Sequence, residues 1–348
     1  MSFKEKILTK SNSYNYYKLQ NAKLLEENES LKSEINRLKN DSTNLRTEYL
    51  KLYRTAGSFC NWSYVDYYFR DDFEDKFKDV TKNLSKESKK AYKWIFLRAL
   101  SVNLISRHTL YFDHELDNQK RFTEFNKVNA KPNEIAGFKF EGDYNLHAFI
   151  DLHLTEEDKE FIKNKDIIDA GAFTGDTSLP LSKITNKNVY AFEPFKDSFN
   201  LLNTNISNNN IKNIVSINKS LGNINGERTL YLSGTNVQGI TSNPDTRPYD
   251  NEIKVEETTL DKFVEENNLD VGYITIDVEG AELDLLKGAI TTIKTQKPLL
   301  SISIYHSVND YFEIIPWVAN LDLGYEFEVF KEQPLPFLAD TVVQCRVK

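Results

Sequence analysis

Two neighbouring stretches decide the fold: residues 166–177 read DIIDAGAFTGDT, and residues 188–194 read NVYAFEP. The first is an apolar run that enters a loop with two glycines and continues into a helical pattern, which is typical of a strand, a turn and a helix. The second is another apolar run, and it ends in Glu193. In a parallel α/β sheet a glycine loop and an acidic strand tip meet at one edge, where the acid can accept hydrogen bonds from ribose hydroxyls.

The alternation of strand and helix patterns continues from Gly137 onward, which indicates an α/β fold. Runs such as ITID and LLSISIY are apolar without interruption, as expected for strands covered on both faces. We predict seven strands, at residues 166–169, 188–192, 214–218, 273–277, 299–305, 326–330 and 342–346. Helices are predicted at 177–184, 195–209, 259–267, 282–290 and 311–320, and two further strands at 228–232 and 253–257.

The charges around the glycine loop separate two nucleoside ligands. A dinucleotide such as NAD places a pyrophosphate against the loop and usually needs the pattern G-x-G-x-x-G. Here the pattern is G-x-x-x-G between Asp169 and Asp176, and two carboxylates repel a pyrophosphate but attract the ammonium and sulfonium groups of S-adenosylmethionine. We therefore predict S-adenosylmethionine as the cofactor. The predicted cofactor contacts are Asp169, Gly171, Ala172, Phe173, Gly175, Asp176, Thr177, Glu193, Pro194, Ser220 and Asp277.

Two more acids and a histidine follow the fourth and fifth strands. Asp277 and Glu279 come after the fourth strand and His306 ends the fifth, so all three lie at the edge where open α/β sheets bind ligands. Methyl transfer needs an oxygen held about 3 Å from the methyl group and a group that removes its proton. We predict that His306 or Asp277 takes the proton, and that Glu279 orients the acceptor or the cofactor.

Alternatives stay open at these strand tips. Glu282 begins a predicted helix, where the helix dipole stabilises a carboxylate that binds no ligand. His306 has a purely structural hydrogen bond as its alternative role. The nearby carboxylates also suit Mg²⁺, which would polarise a hydroxyl without a protein base. We expect activity without a metal, and survival of activity in a chelator would test this.

The first 55 residues carry a heptad repeat. Leucines recur every seven residues, and Asn28 falls at an a position. The g positions are acidic and the following e positions are basic, so a parallel pair of helices matches opposite charges throughout. Residues 1–55 are predicted to form a parallel two-stranded coiled coil, with a second copy of the chain as the partner. A single amphipathic helix packed on its own domain is the alternative.

Two other segments have no readable chemistry. Residues 56–136 are charged and aromatic with helical spacing, and they are predicted to be a helical accessory region. Residues 234–249, GTNVQGITSNPDTRPY, are polar and turn-rich and lie between two predicted strands. They are predicted to be either a lid over the acceptor or an ordinary solvated connection.

The composition argues against several classes of protein. The formal charge of −8 disfavours a nucleic-acid binder. No run approaches the roughly 18 apolar residues that span a bilayer, and the beginning of the chain lacks the pattern of a secretory signal. Cys60 and Cys345 are too far apart in sequence to indicate a disulfide framework or a zinc site. We expect a cytoplasmic protein without a transmembrane segment; attachment to the inner membrane face through the slightly basic first 55 residues is the alternative.

Several of these motifs together resemble one known family. DAGAFTGDT, AFEP, TLDKFVEENN, ITIDVEGAELDLLKGA and LSISIYH resemble the FkbM-type S-adenosylmethionine-dependent methyltransferases over about residues 137–348, and IDVEGAE is the most specific element. The resemblance implies a Rossmann-like seven-stranded methyltransferase sheet with helices on both faces, and methylation of a hydroxyl, often on a sugar or a polyketide. It also implies that Asp169, Gly171 and Gly175 form the cofactor loop, that Glu193 holds the ribose, and that Asp277 and Glu279 lie at the reacting face.

The expected protein is an S-adenosylmethionine-dependent O-methyltransferase of three parts, residues 1–55, 56–136 and 137–348. A sugar or glycan hydroxyl is the expected acceptor, because the resemblance and the acid-rich strand tips both suit a polyol. A glycosyltransferase is a candidate partner. The alternatives are an NAD-dependent oxidoreductase and a coiled-coil scaffold with an inactive α/β domain.

Overall fold

The structure, a computed structural model, describes residues 29, 30, 32, 33, 37, 63–104, 113–131, 133–150, 152–233, 240–244, 249–331 and 340–347. The chain divides into two compact units, Met1–Phe59 and Cys60–Lys348. In the first unit the five described residues are helical and exposed. The coiled coil predicted for residues 1–55 otherwise lies outside the described residues and stays a prediction.

A seven-stranded mixed sheet forms the centre of the second unit, which confirms the predicted α/β fold. Side by side, and numbered along the chain, its strands are β13 (Tyr325–Lys331), β14 (Thr341–Val347), β12 (Leu299–Ser303), β11 (Val271–Ile276), β4 (Asp166–Ala170), β5 (Val189–Phe192) and β6 (Ile214–Ile217). Strand β14 runs antiparallel to both of its neighbours, and the pairs from β12 to β6 are parallel.

Helices cover both faces of this sheet. Alternate residues of a strand enter different cores: in β4, Ile168 and Ala170 belong to one and Ile167 to the other. The first core contains residues of α9 (Leu260–Asn267), α10 (Glu282–Gly288), α11 (Ile290–Gln296) and α12 (Val308–Ala319). The second contains residues of α6 (Glu156–Ile162), α7 (Ser178–Leu181) and α8 (Lys196–Asn208). All five residues of β4 are buried, as expected for a strand covered on both sides.

Two smaller sheets accompany the large one. The first consists, in spatial order, of β7 (Ser220–Leu221), β10 (Asn251–Thr258), β8 (Gly226–Leu232) and β9 (Ile240–Thr241). Its antiparallel centre is the predicted pair of strands at 228–232 and 253–257. The second, which the sequence did not predict, consists of β1 (Ala130–Lys131), β2 (Glu134–Ile135) and β3 (Phe138–Lys139), between α4 (Asp113–Asn129) and α5 (Leu146–Ile150).

Two predicted helices differ from the structure. The helix predicted at 177–184 is α-helical only over α7, because the N–H groups of Lys183 and Ile184 then bind carbonyls three residues back and tighten the chain into 3₁₀-type turns. The helix predicted at 282–290 ends at Gly288. Ala289 leaves the helical conformation, with φ −111° and ψ 7°, and α11 begins directly after it.

The described part of the region 56–136 is helical, but it shares one core with the sheet. Its first helices are α1 (Ser63–Tyr68), α2 (Phe73–Lys82) and α3 (Lys86–Leu104). Tyr92 of α3 stacks on Tyr311 of α12 with 4.1 Å between ring centroids, and each hydroxyl donates to the other residue's carbonyl, at 2.5 and 2.6 Å. The N–H of Val329 in β13 donates to Ser88. The accessory helices and the sheet thus form one packed body, within the unit Cys60–Lys348.

The expectations about membrane spans and cysteines can be compared with the described residues. None of the helices in this part of the chain combines the length and the apolar composition that a membrane crossing requires. Cys345 is a buried free thiol in β14, where it packs as a small apolar side chain. Cys60 lies outside the described residues.

Candidate active site at the carboxyl edge of the sheet

The central strands of the large sheet end at the same level. Ala170 is paired with Phe192 on one side and with Ile276 on the other. The residues that follow these three, Gly171, Glu193 and Asp277, therefore lie next to one another, and the N–H of Asp277 donates to the carbonyl of Ala170 at 2.9 Å. Strand register thus places three predicted site residues together.

The glycine loop packs tightly against its neighbours. Gly171 has φ +86°, and a Cβ on it would lie 1.9 Å from the carbonyl oxygen of Asp277. Gly175 has φ +94°, and its Cβ would lie 2.8 Å from a methyl group of Leu202. Both glycines are required by the close approach of other protein atoms, and not only by a ligand as the sequence suggested. Ala172 is fully buried, and its N–H donates to the carbonyl of Phe192.

Glu193 ties the tip of β5 to this loop. One carboxylate oxygen accepts the N–H of Phe173 at 2.9 Å, and the other accepts the N–H of Phe195 at 2.7 Å. Burial raises the pKa of Glu193 to about 8, although both backbone donors act in the opposite direction. The side-chain amide of Asn218, which the sequence analysis did not single out, donates to the carbonyls of Glu193 and Pro194. Glu193 is therefore fixed in place at this edge of the sheet.

Asp169 and Asp176 have partners within the protein. The hydroxyl of Ser178 donates to Asp169, whose pKa burial raises to about 7. Asp176 accepts the N–H groups of Asn145 at 2.6 Å and Thr177 at 3.0 Å, and burial raises its pKa to about 6. These two acids shape the loop, and burial disfavours the negative charges that the sequence argument assigned to them.

Ser220 is the predicted cofactor residue that the structure places elsewhere. It lies in β7, and its hydroxyl is 3.4 Å from the carbonyl of Glu256 and from the carboxylate of Glu257. These partners belong to the four-stranded sheet and not to the glycine loop.

His306 lies among three carboxylates. Its Nδ1 is 2.8 Å from Oε1 of Glu282, and its Nε2 is 3.3 Å from Oδ1 of Asp277 and 3.4 Å from Oε2 of Glu279. The side chains of Asp277 and Glu279 are 39% and 38% exposed, whereas that of His306 is 4% exposed and that of Glu282 is fully buried. The three predicted catalytic residues are thus together, with the two acids on the open side.

The charges in this cluster shift one another's protonation. Burial lowers the pKa of His306, but Glu282, Glu279 and Asp277 outweigh it and raise the pKa to about 10. Burial raises the pKa of Asp277 to about 7, with Glu279 and Glu282 acting in the same direction and His306 against them. Burial acts to raise the pKa of Glu282 as well, yet His306 and the backbone donors lower it. The cluster therefore favours a positive charge at the imidazole.

The segment IDVEGAE makes a sharp bend that builds this cluster. Glu279 has φ +54° and Gly280 has φ +100°. The carbonyl of Glu279 accepts hydrogen bonds from the N–H of Ser242 at 2.9 Å and from the hydroxyl of Thr241 at 3.0 Å. Oε1 of Glu282 accepts the N–H groups of Val278 and Gly280 at 3.1 and 3.3 Å. Of the predicted lid at 234–249, residues 240–244 and 249 are described, and Thr241 and Ser242 contact this bend.

Other residues near the cluster carried no clear sequence signal. The hydroxyl of Tyr305 is 3.4 Å from both carboxylate oxygens of Asp277. Asp310 caps the start of α12 with Ser307, and burial raises its pKa to about 7, with the charge of Glu282 acting in the same direction. Tyr64 of α1 donates its hydroxyl to the carbonyl of Ser307 at 3.1 Å. In the sequence, Tyr305 and Ser307 flank His306, which is a signal that could have drawn attention to them. Asp310 and Tyr64 have no such position.

Comparison with known proteins finds a family match over the segment that contains this edge. Residues 169–334 match the family model described as "Methyltransferase FkbM domain". No curated protein matches the chain. Methyltransferase FkbM from Methylobacillus flagellatus KT is 16% identical, with a TM-score of 0.49, and the alignment covers 81% of this chain and 62% of that chain. This chain therefore spans less than two thirds of the length of that protein.

Two further solved structures are similar in part. An rRNA methylase from Streptococcus thermophilus is 16% identical, with a TM-score of 0.35, over 55% of this chain and 95% of that chain. M. jannaschii TYW2 in complex with AdoMet is 18% identical, with a TM-score of 0.33, over 60% of this chain and 80% of that chain.

The family match and the site occupy the same part of the chain. The matched segment begins at Asp169 and includes the glycine loop, Glu193, the bend from Asp277 to Glu282, and His306. Residues 169–334 therefore match the FkbM methyltransferase domain, and most of the seven-stranded α/β sheet lies within this segment.

Proposed function

We propose that this protein is an S-adenosylmethionine-dependent O-methyltransferase whose acceptor is a hydroxyl of a sugar or glycan. The observation that carries the proposal is the set of level strand ends that bring Gly171, Glu193 and Asp277 together, with the acid and histidine cluster beside them. In open α/β sheets, this edge is where nucleoside ligands bind.

The residues at the edge suit a cationic nucleoside. Each carboxylate oxygen of Glu193 accepts one backbone N–H and keeps a second lone pair for a ribose hydroxyl. Asp277 and Glu279 add partly exposed carboxylates, which attract a sulfonium and an ammonium group. S-adenosylmethionine, when bound, supplies a methyl group that the positively charged sulfur has already activated.

Exposure separates the roles of the three predicted catalytic residues. Asp277 and Glu279 can contact an acceptor directly, because more than a third of each side chain is exposed. His306 lies behind them and is occupied on one side by Glu282. We assign removal of the acceptor proton to Asp277 and orientation of the acceptor hydroxyls to Glu279, while His306 positions both acids.

The transfer balances with these residues alone. The acceptor oxygen forms a bond to the methyl carbon while the bond from that carbon to sulfur breaks, and its electron pair stays on sulfur. The hydroxyl proton passes to the carboxylate of Asp277, and water later receives it. The products are a methyl ether and S-adenosylhomocysteine.

Cofactor choice and turnover test the proposal in two steps. Calorimetry with the full chain should show binding of S-adenosylhomocysteine and none of NAD. A panel of sugars, glycans and cell extracts, supplied with S-adenosylmethionine, should then yield a methylated product by mass spectrometry. Binding of NAD alone would favour the oxidoreductase alternative, for which the methyltransferase family match gives no support. Binding without turnover on any acceptor would favour the scaffold.

The variant Asp277→Asn tests the assignment of the base. It should lower kcat by roughly 10²- to 10⁴-fold, the usual contribution of a general base, and leave the Kd for S-adenosylhomocysteine within threefold. Asp322→Asn, an exposed acid after α12, is the matched control and should leave kcat unchanged. Full turnover of Asp277→Asn would contradict the assignment.

The proposal includes association and location. Residues 1–55 dimerise as a parallel coiled coil, a glycosyltransferase is the candidate partner that delivers a glycan, and the enzyme works in the cytoplasm. The heptad of leucines with opposite g and e charges supports the dimer. Light scattering of the full chain should give twice the monomer mass, and a monomeric mass would contradict the coiled coil.

A further inference from the structure

We propose that His306, Asp277 and Glu279 bind a divalent transition-metal ion, and that Glu282 orients the imidazole for it. Binding of the metal depends only on these side chains and needs no cofactor. Only the ion's part in holding an acceptor oxygen rests on the proposed function.

A buried nitrogen of His306 lacks a hydrogen bond. Nε2 of His306 has no hydrogen-bond partner, although the side chain is 96% buried. Carboxylate oxygens of Asp277 and Glu279 lie within 3.4 Å of it, yet neither meets the geometry of a hydrogen bond. Buried polar atoms are nearly always satisfied, so this nitrogen calls for a ligand that approaches between the two acids.

The two distances from Nε2 of His306 to the acids fit coordination of one ion. Ligand atoms bound at about 2.0–2.2 Å from one metal ion, at angles between octahedral and tetrahedral, lie about 3.0–3.5 Å from each other. Nε2 lies 3.3 Å from Asp277 Oδ1 and 3.4 Å from Glu279 Oε2. Both distances match coordination of one ion. The partly exposed acids also have room to adjust around it.

Glu282 supports the imidazole ring of His306 on its other side. Metal-binding histidines usually donate their second N–H to a carboxylate, which fixes the ring and the tautomer. Glu282 accepts from Nδ1 of His306 at 2.8 Å and is itself held by two backbone N–H groups. Nδ1 thus keeps its proton toward Glu282, and an ion that binds between the two acids would displace the proton from Nε2.

The mixture of ligands selects the class of ion. Imidazole nitrogen suits zinc, copper, iron and nickel, and carboxylates suit manganese, whereas magnesium prefers oxygen ligands alone. The site therefore differs from the all-carboxylate Mg²⁺ site considered from the sequence. An ion here would offset the charges of Asp277 and Glu279, and its open positions would take the acceptor oxygen, while Oδ2 of Asp277 stays available for the proton.

Metal binding by the full chain tests the proposal without any methylation assay. Chelator-treated protein is titrated with Mn²⁺, followed by electron paramagnetic resonance, and separately with Zn²⁺ followed by elemental analysis after gel filtration. We expect one ion per chain, and a Kd at least tenfold weaker in His306→Ala and in Glu279→Gln. Glu279→Gln changes a partly exposed side chain, so it keeps the test valid if His306→Ala fails to fold. His153→Ala, a histidine stacked on Phe330, is the matched control.

Each outcome has a definite meaning. No Mn²⁺ or Zn²⁺ bound, or equal binding by the wild type and Glu279→Gln, overturns the site. Displacement of Mn²⁺ by equimolar Mg²⁺ overturns the class of ion. If S-adenosylhomocysteine binds and no metal does, the metal site fails and the proposed function stands. If metal binds and S-adenosylhomocysteine does not, the metal site stands and the proposed function fails.

Discussion

His306 and Glu282 share a hydrogen bond of 2.8 Å between Nδ1 and Oε1, in a part of the protein from which water is almost excluded. The two residues belong to different elements, since Glu282 begins α10 and His306 follows β12. The bend at Glu279 and Gly280 turns Glu282 back toward the sheet edge. A buried pair of opposite charges thus lies directly behind the acids that face the acceptor.

Removal of the charge of Glu282 should uncouple this pair. In metal-free Glu282→Gln, the pKa of His306 should fall from about 10, because Glu282 contributes most to raising it. Breaking a buried ion pair on one side should lower the free energy of unfolding by about 3–5 kcal/mol. Titration of the His306 ring by NMR and urea unfolding measure the two effects. Glu265→Gln, an exposed change in α9, should alter stability by less than about 0.5 kcal/mol.

A methyl group at Gly171 should disrupt the site more than the same change elsewhere. Gly171→Ala adds a Cβ 1.9 Å from the carbonyl of Asp277, at φ +86°. Gly137→Ala is the matched control, because Gly137 has φ +81° and no atom within 4 Å of the added Cβ. The control should cost about 1–2 kcal/mol for the left-handed conformation alone. Gly171→Ala should cost clearly more and abolish binding of S-adenosylhomocysteine; equal stabilities would contradict the close packing.

Binding of the cofactor product should depend on pH through Glu193. Burial raises the pKa of Glu193 to about 8, so the carboxyl is protonated in the free protein at pH 7. Ribose hydroxyls donate to the ionised form, so binding should release a proton, and affinity should rise as pH increases from 6 to 9. Calorimetry in buffers of different ionisation enthalpy measures the proton. In Glu193→Gln this part of the pH dependence should vanish, and its persistence would assign the proton to another group.

The accessory helices should stabilise the site through Tyr64. Its hydroxyl donates to the carbonyl of Ser307, directly after His306. Tyr64→Phe keeps the ring and leaves that partly buried carbonyl without its donor, which should lower the free energy of unfolding by about 1 kcal/mol. Thermal unfolding and kcat measure the change. Tyr68→Phe, in the same helix but 43% exposed, should have a small effect. Identical behaviour of the two variants would remove Tyr64 from the support of the site.

The strands and their tips were predictable from sequence for a physical reason. Strands covered on both faces are continuously apolar, so β4 and β11 stand out, and the residue after each apolar run lies at the ligand edge. Gly171, Glu193 and Asp277 were found in this way. The end of a helix was harder to predict, because a helical sequence pattern continues past Gly288 while Ala289 leaves the helical conformation.

The partners of the site residues could not be predicted from sequence. Asp176 accepts the N–H of Asn145, 31 residues away, and Tyr64 reaches Ser307 across 243 residues. Backbone N–H groups are present at every position and leave no pattern in the side chains. For the same reason the hydrogen bonds of Asn218 to the carbonyls of Glu193 and Pro194 left no signal in the sequence.

The antiparallel strand β14 has a consequence for synthesis on the ribosome. Strand β13 is made before β14, but within the sheet it pairs only with β14, which joins it to β12. The accessory helix that contacts β13 through Ser88 is made much earlier still. Translation therefore has to pass Val347 before β13 can join the sheet, so nascent chains halted earlier should leave β13 open to proteases and chaperones.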